Sequence, residues 1–421
     1  MVDYIDIEVI LNTESSASTD SIKIVIQQFL ENKKILPNTV ISEFNKDTDT
    51  FYPFIRCIIV GNISNSNHVT VPVDFKNVVI NWYIYSLDQY GVMAAAETDG
   101  EGEEVTLATY LTLPSQELFT LWENLYYEDN IKNNLLKYAR TIMEFSNKGI
   151  NPAIVSCNKV ILLHGPPGTG KTSLCKALAQ KLSIKLNNSY SSGILIEINS
   201  HSLFSKWFSE SGKLVNKMFT KIREACENTS VLVCVLIDEV ESLAHARDQC
   251  LTGNEPSDSI RVVNAMLTQI DQIKKYPNVL ILATSNMTEA IDLAFVDRAD
   301  IKQFLGFPSV PAIYKIYTSC LNELMRGHII KYTDDLVTVD LIARGDSEIQ
   351  NECSKKLLTI CQNSVGLSGR TLRKIPFLAH ALYVNSDAVD LNLFLNAMLL
   401  AVEAEHKNKI SFTTKRKVNS I

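Results

Sequence analysis

Eight consecutive residues, Gly165-Pro166-Pro167-Gly168-Thr169-Gly170-Lys171-Thr172, constrain this chain more than any other stretch. They follow an apolar, β-branched run, Val160-Ile161-Leu162-Leu163, and open onto Ser173-Leu174-Cys175-Lys176-Ala177-Leu178-Ala179, which reads as a helix. Strand, glycine loop and helix in that order, with the spacing GxxxxGK[ST], predict a phosphate-binding P-loop. The glycines let successive backbone N–H groups turn inward at the positive end of the following helix, which forms an anion nest. In such a loop Lys171 reaches the β- and γ-phosphates, and the Thr172 hydroxyl meets Mg2+. The expected ligand is a nucleoside triphosphate.

Residues 155–305 alternate apolar runs with helical patterns, as in a parallel sheet with crossover helices. The run Val231-Leu232-Val233-Cys234-Val235-Leu236-Ile237 is wholly apolar and ends in Asp238-Glu239. Ligand sites of open α/β sheets lie at the C-terminal tips of such buried strands. There Asp238 is expected to hold Mg2+ through its water shell, and Glu239 to polarise the attacking water. A third run, Val279-Leu280-Ile281-Leu282-Ala283, ends in Thr284-Ser285-Asn286. Asn286 reads either as a helix cap or as an amide that donates to the γ-phosphate or orients the water. Asp297-Arg298-Ala299-Asp300 sets an arginine in a short polar break. Its permanently charged fork suits either a transition-state contact or a surface ion pair.

The segments on either side are read from pattern alone. Residues 1–96 predict a small α+β domain, with Ile5, Ile7 and Val9 on one side of a strand and Ile22, Val25, Ile26, Phe29 and Leu30 on one helix face. Further strands are expected near 54–60 and 78–85, where Trp82, Tyr83 and Tyr85 read as sheet packing. Residues 97–109 are acidic and are expected to form a linker. Leu121-Trp122-Glu123-Asn124-Leu125 and a helix to about Ser146 lead into the P-loop strand; in a P-loop ATPase such a lead-in commonly packs beside the adenine, so the segment is grouped with the P-loop unit. From about residue 309 the pattern is helical. It includes Gly366-Leu367-Ser368-Gly369-Arg370, a glycine-flanked helix start that aims an arginine back toward the nucleotide. The basic Lys415-Arg416-Lys417 reads as a solvated terminus.

Composition excludes several other classes. At 421 residues the chain has room for two or three domains. A net charge of −7 argues against a surface built to hold a phosphate backbone. The nine cysteines are scattered without metal-ligand spacing, as reduced thiols are in a nuclear or cytosolic protein. Met1-Val2-Asp3-Tyr4-Ile5-Asp6 predicts no secretory signal, and no apolar run reaches the length of a membrane span.

With these motifs in order, the chain resembles an AAA+ ATPase. His201-Ser202-Leu203-Phe204-Ser205-Lys206-Trp207-Phe208-Ser209-Glu210-Ser211-Gly212-Lys213 narrows the match, because in AAA+ remodellers this position is the aromatic pore loop that grips a polypeptide. Leu163 to Leu182, Glu255-Pro256-Ser257-Asp258, Arg261-Val262-Val263-Asn264-Ala265, and the stretch from Ala294 to Gln303 are similar to the pachytene checkpoint ATPases, also called thyroid receptor-interacting ATPases. The resemblance covers about residues 110–400. It implies an α/β fold: an AAA+ P-loop ATPase core with a parallel sheet (110–308), a C-terminal helical lid (309–421) and a small α+β N-terminal domain (1–96) for substrate or adaptor.

It also implies a homo-hexamer that uses ATP and Mg2+ to convert HORMA-domain proteins from closed to open. A comet-type adaptor would assist, in meiotic chromosome control and the spindle checkpoint. The location implied is the nucleus, on chromosomes, and the cytoplasm, with neither nucleic acid nor membrane as a direct partner. By motif, Gly165, Pro166, Pro167, Gly168, Thr169, Gly170, Lys171, Thr172 and Ser173 hold the nucleotide, and Thr172 and Asp238 hold the metal. Glu239 activates water, Asn286 and Arg370 are the two sensors, and Arg298 is the arginine finger for the neighbouring subunit. Trp207 and Phe208 form the first pore loop, and residues 248–259 the second. The alternatives are a clamp-loader-like switch acting on a DNA-bound partner, and a scaffold that binds ATP without turnover.

Overall fold

The computed structural model describes residues 3–12, 18–44, 51–63, 72–98, 104–127, 130–152, 154–199, 211–242, 258–287, 291, 293–333, 336, 351–384, 386 and 388–418. Alternation in the first strand organises the N-terminal unit. In β1 (Tyr4–Leu11) the odd residues Ile5, Ile7 and Val9 are fully buried in the unit's own core. The even residues Asp6 and Glu8 point to the opposite face, as the period of a strand requires. Onto the odd face packs α1 (Thr19–Glu31), which is capped where the Ser18 hydroxyl accepts the Ser21 N–H. Its Ile22, Ile26, Phe29 and Leu30 are buried there. The sheet is completed by β2 (Thr39–Ile41), β3 (Ile55–Ile63) and β4 (Val79–Ser86), in the order β2-β3-β1-β4. Of the three aromatics expected to pack, Trp82 joins this core. Tyr83 and Tyr85 lie on the even face beside Asp6 and Glu8.

The second sheet has seven strands in the order β11-β7-β10-β9-β8-β6-β5. Its parallel part comprises β7 (Val160–His164), β8 (Ser192–Asn199), β9 (Val231–Asp238), β10 (Val279–Ser285) and β11 (Ile301–Phe304). Every residue of β10 is buried, which accounts for the unbroken apolar runs in the sequence. One face carries Val160, Leu162, Val233, Val235, Val279 and Ile281, packed with α4 (Ser211–Glu227) and α5 (Asp258–Ile273). The other carries Ile161, Leu163, Leu232, Leu236, Leu280 and Leu282, covered by α2 (Ile131–Asn147) and α3 (Lys171–Lys185).

The antiparallel edge corrects one expectation. Residues 97–109 are not a simple acidic linker. Glu97 and Thr98 end β5 (Met93–Thr98), and residues 104–109 belong to β6 (Glu104–Leu113), which pairs antiparallel with β5 and with β8. The acidic count of residues 101–104 draws attention from an alternation, Val105, Leu107, Thr109, Leu111, Leu113, that carries the strand. Burial of Leu111 and Leu113 under the sheet outweighs the charge at the far end of the hairpin.

After a short helix, α6 (Leu293–Val296), and strand β11, the chain enters a helical unit: α7 (Val310–Arg326), α8 (Glu352–Asn363), α9 (Gly369–Tyr383) and α10 (Leu391–Val418). Ile313, Tyr317, Leu357, Leu372, Ile375, Phe394 and Met398 are buried between these helices as a separate core. Among the described residues no helix is long and apolar enough to cross a membrane.

Candidate active site

The P-loop leaves the tip of β7 and is pinned from both sides. The Gly165 N–H donates to Ser285 O at the end of β10 (3.2 Å), and the Leu305 N–H donates to His164 O (2.8 Å). Gly165 adopts φ +139°, and a Cβ there would lie 2.2 Å from Leu305 O, so only glycine permits this close passage. At Gly168 (φ +77°) a Cβ would come within 2.7 Å of Ser368 Oγ, the capping side chain of α9. The loop is thus a cradle that side chains would fill. Pro167 is exposed, and Thr169 Oγ1 donates to Pro166 O (3.0 Å). Lys171 and Ser173 fall in the first turn of α3. Lys171 is almost fully buried, and its Nζ donates to Gly165 O (2.8 Å) and Pro166 O (2.7 Å). Burial pushes this ammonium below the usual lysine range, and the carboxylates of Glu241, Asp238 and Glu239 oppose the push.

The carboxylates come from the tip of β9. Asp238 Oδ1 accepts from Thr172 Oγ1 (2.9 Å) and from Thr284 Oγ1. The Glu239 N–H donates to the same Thr284 hydroxyl (3.2 Å), so β9 and β10 are locked at their tips. Glu239 itself is left-handed, φ +57°, a strained conformation for a residue with a Cβ. Its carbonyl accepts from the Ser242 N–H and hydroxyl, which holds the turn. Asn286 Nδ2 donates to Glu239 Oε1 (3.2 Å), so the asparagine acts here as an amide aimed at the candidate base.

The lid reaches the same place. Arg370 N–H donates to Gly168 O (3.2 Å), and the Arg370 charge adds to the downward push on Lys171. The structure therefore brings Asp238, Glu239, Asn286 and the start of the lid helix at Arg370 together at the loop, an arrangement that suits a triphosphate with a divalent cation held by Thr172 and Asp238. Arg298 is elsewhere. Its Nε and Nη2 form a fork on Asp271 at the end of α5 (3.1 and 2.8 Å), and its Nη1 donates to Ala294 O (2.6 Å). Lys274 completes that cluster at 2.8 Å from Asp271. Within one chain, Arg298 is not part of the loop site. Trp207 and Phe208 lie outside the described residues, as does most of the 248–259 segment.

Three contributors escape a reading of the sequence. Thr284 stands two residues before Asn286, yet nothing in its type marks it as the link between both carboxylates. Glu241 is buried two residues after Glu239, and its Oε1 accepts the Asn286 N–H (3.1 Å). Tyr127 donates to the loop from outside it, to Thr169 O (3.1 Å) and Gly170 O (3.3 Å).

Comparison with known proteins agrees with this geometry. Residues 161–307 match the ATPase family associated with various cellular activities (AAA), and residues 309–406 match the TRIP13-like AAA+ ATPase lid C-terminal domain. The chain is 47% identical over 417 residues to the pachytene checkpoint protein 2 homolog of Rattus norvegicus, covering 97% of this chain and 95% of that one. Against the homolog of Homo sapiens it is 53% identical over 342 residues, 80% of this chain and 78% of that one. The solved structure of C. elegans PCH-2 superposes with a TM-score of 0.76 at 35% identity, covering 96% of this chain and 99% of that chain. An E. coli MS115-1 HORMA:CdnC:Trip13 complex contains a chain with the same fold, at a TM-score of 0.51 and 19% identity over 69% of this chain and 93% of that one. The chain is an ATPase of the AAA class, and it belongs to the pachytene checkpoint protein 2 family.

Proposed function

We propose that this ATPase couples ATP hydrolysis to the conversion of HORMA-domain proteins from a closed to an open state, in meiotic chromosome control and the spindle checkpoint. The observation that carries the reading is the convergence of the P-loop, Asp238, Glu239 and Asn286 in a chain matched over 97% of its length by a pachytene checkpoint homolog. The solved E. coli complex of the same fold pairs Trip13 with a HORMA protein, which agrees with the choice of client.

In this reading Lys171 and the loop N–H groups hold the phosphates, and Arg370 places lid charge beside Lys171. Mg2+, held by Thr172 and Asp238, would neutralise the charge that develops on the phosphate oxygens. The Glu239 carboxylate takes a proton from the attacking water, and the Asn286 amide fixes its direction through Oε1. The active form is a homo-hexamer in which Arg298 exchanges Asp271 for the γ-phosphate of a neighbouring subunit. Trp207 and Phe208 grip the client, a comet-type adaptor presents it to the N-terminal unit, and the enzyme works in nucleus and cytoplasm.

The test is ATP hydrolysis by the purified protein with and without a closed HORMA-domain substrate and its adaptor, with Glu239→Gln as the blank. Stimulation by substrate is the expected result. Hydrolysis that substrate leaves unchanged would keep the ATPase and remove the proposed client.

A further inference from the structure

Residues 123–127, just before α2, connect the phosphate-loop helix, the loop itself and the lid. Glu123 Oε1 lies 2.7 Å from Lys181 Nζ on α3. The Asn124 carbonyl accepts from Arg373 Nη2 on lid helix α9 (2.7 Å). Leu125 packs in the core under the loop, and Tyr126 packs against the lid core. Tyr127 Oη shares its single proton between the carbonyls of Thr169 and Gly170, at 3.1 and 3.3 Å. Five successive residues therefore touch the phosphate-loop helix, the lid, the sheet core, the lid again and the loop itself.

The Tyr127 contact has a consequence for the opposite side of the loop. Among the described residues the only cis bond is Leu113-Pro114, so the Thr169–Gly170 and Gly170–Lys171 peptides are trans. In a planar trans peptide the N–H points away from the C=O, so holding the Thr169 carbonyl toward Tyr127 aims the Gly170 N–H away from it, while the Gly170 carbonyl, which also accepts the Leu174 N–H of α3 (2.8 Å), orients the Lys171 N–H with the helix. Those are amides of the anion nest. A hydrogen bond to the carbonyl also polarises its own peptide and strengthens the N–H on the far side. Gly170 is shaped for this approach: at φ +89° it has no side chain, and a Cβ there would stand 2.6 Å from Tyr127 Oη. Burial pushes the Tyr127 phenol above its ordinary range, so it is present as a donor at neutral pH.

We infer that Tyr127 is a positioning residue for nucleotide binding, which sets the Gly170 amide through the Thr169 carbonyl and supports the Lys171 amide that α3 already orients, and that the Asn124–Arg373 bond makes this setting depend on the lid. The inference rests on the nucleotide reading of the P-loop, so its test carries a control for that reading. The probe is mant-ADP, titrated by fluorescence into nucleotide-free protein, with thermal unfolding followed in parallel.

Tyr127→Phe removes the hydroxyl and keeps the ring. It is expected to weaken mant-ADP binding roughly 3- to 10-fold, the range for one lost neutral hydrogen bond, while the unfolding midpoint without nucleotide stays at the wild-type value. In turnover the same change raises KM for ATP more than it lowers kcat, because the loop amides hold ground state and transition state alike. Replacing Tyr127 by 3,5-difluorotyrosine, a stronger donor of nearly the same shape, is expected to restore or tighten binding. Arg373→Ala, at an exposed position, is expected to weaken binding in wild type and to add nothing in the Tyr127→Phe background.

Lys171→Ala is the control. Loss of mant-ADP binding by Lys171→Ala together with wild-type affinity in Tyr127→Phe overturns the inference alone. Wild-type affinity in Lys171→Ala overturns the site reading itself. A Tyr127→Phe protein that melts lower but binds as tightly as wild type makes the hydroxyl a structural group, and additive effects of Arg373→Ala and Tyr127→Phe sever the link to the lid.

Discussion

The Thr284 hydroxyl donates to Asp238 and accepts from the Glu239 N–H, so one side chain spaces the two carboxylates that metal and water need. Thr284→Val keeps the shape and leaves the part-buried Glu239 N–H without its acceptor. An unmet group of that kind costs roughly 1–3 kcal/mol, and here the cost falls on the geometry of Glu239. Steady-state hydrolysis should therefore drop about 10- to 100-fold, by the conversion of 1.4 kcal/mol per tenfold; a kcat equal to wild type would remove Thr284 from the site. The contrast between Thr284 and Lys171 shows what residue types announce by themselves. Lys171, Thr172, Asp238 and Glu239 stand in contiguous motifs whose chemistry is local, so the order of residues along the chain is enough to find them. Thr284, Glu241 and Tyr127 act through contacts 45, 45 and 42 residues away in sequence, and no spacing rule joins them. Arg298 is the reverse case: its type suggests two roles, and within the chain the structure shows the ion pair with Asp271.

At the level of elements, the P-loop is a turn clamped between β10, β11 and the lid, and its glycines differ in what they tolerate. Gly165 and Gly366 both have positive φ, but a Cβ at Gly366 meets nothing within 4 Å, whereas at Gly165 it meets a backbone carbonyl. Gly366→Ala should cost only the backbone term, about 1 kcal/mol. Gly165→Ala has to displace Leu305 at the end of β11, and a loss of roughly 3 kcal/mol or more is expected from strain added to conformation. Denaturant unfolding of the two variants checks the order; equal midpoints would contradict it. Strands β7, β9 and β10 are legible in the sequence because they are buried and apolar almost throughout, whereas β11, with Lys302 and Gln303 and only half-buried, is not marked by any apolar run. The β5–β6 hairpin is not legible, because its acidic end resembles a connector and its pairing partner β8 lies far downstream in sequence.

For the whole molecule, the decisive contact is the one between the N-terminal sheet and α3. Glu8, on the even face of β1, lies 2.7 Å from Lys181 and 3.3 Å from Lys185, and Asp6 lies 2.9 Å from Lys185. Tyr85 Oη donates to Glu8 (3.1 Å), and the Tyr83 ring stands 3.8 Å from Lys185 Nζ. Burial alone would raise the Glu8 carboxyl, but the ammonium groups of Lys181 and Lys185 outweigh it and hold the value down to about 2, from an ordinary 4.5. A depressed carboxyl stabilises the folded state above its ordinary value and loses that contribution as pH falls toward the folded one. Stability should therefore decline between pH 4.5 and about 2 in wild type, and more shallowly in Glu8→Gln. At neutral pH the same substitution leaves Lys181 and Lys185 short of a buried partner and should cost about 3 kcal/mol. Thermal melts across that range check both, and parallel pH profiles would refute the assignment. Helix α3 spans 15 residues, or roughly 22 Å at 1.5 Å per residue. It begins at the phosphate loop and ends in these lysines as one unbroken helix. The N-terminal sheet and the phosphate loop are thus anchored to opposite ends of the same rigid rod, and neither can shift along that rod's axis independently of the helix between them.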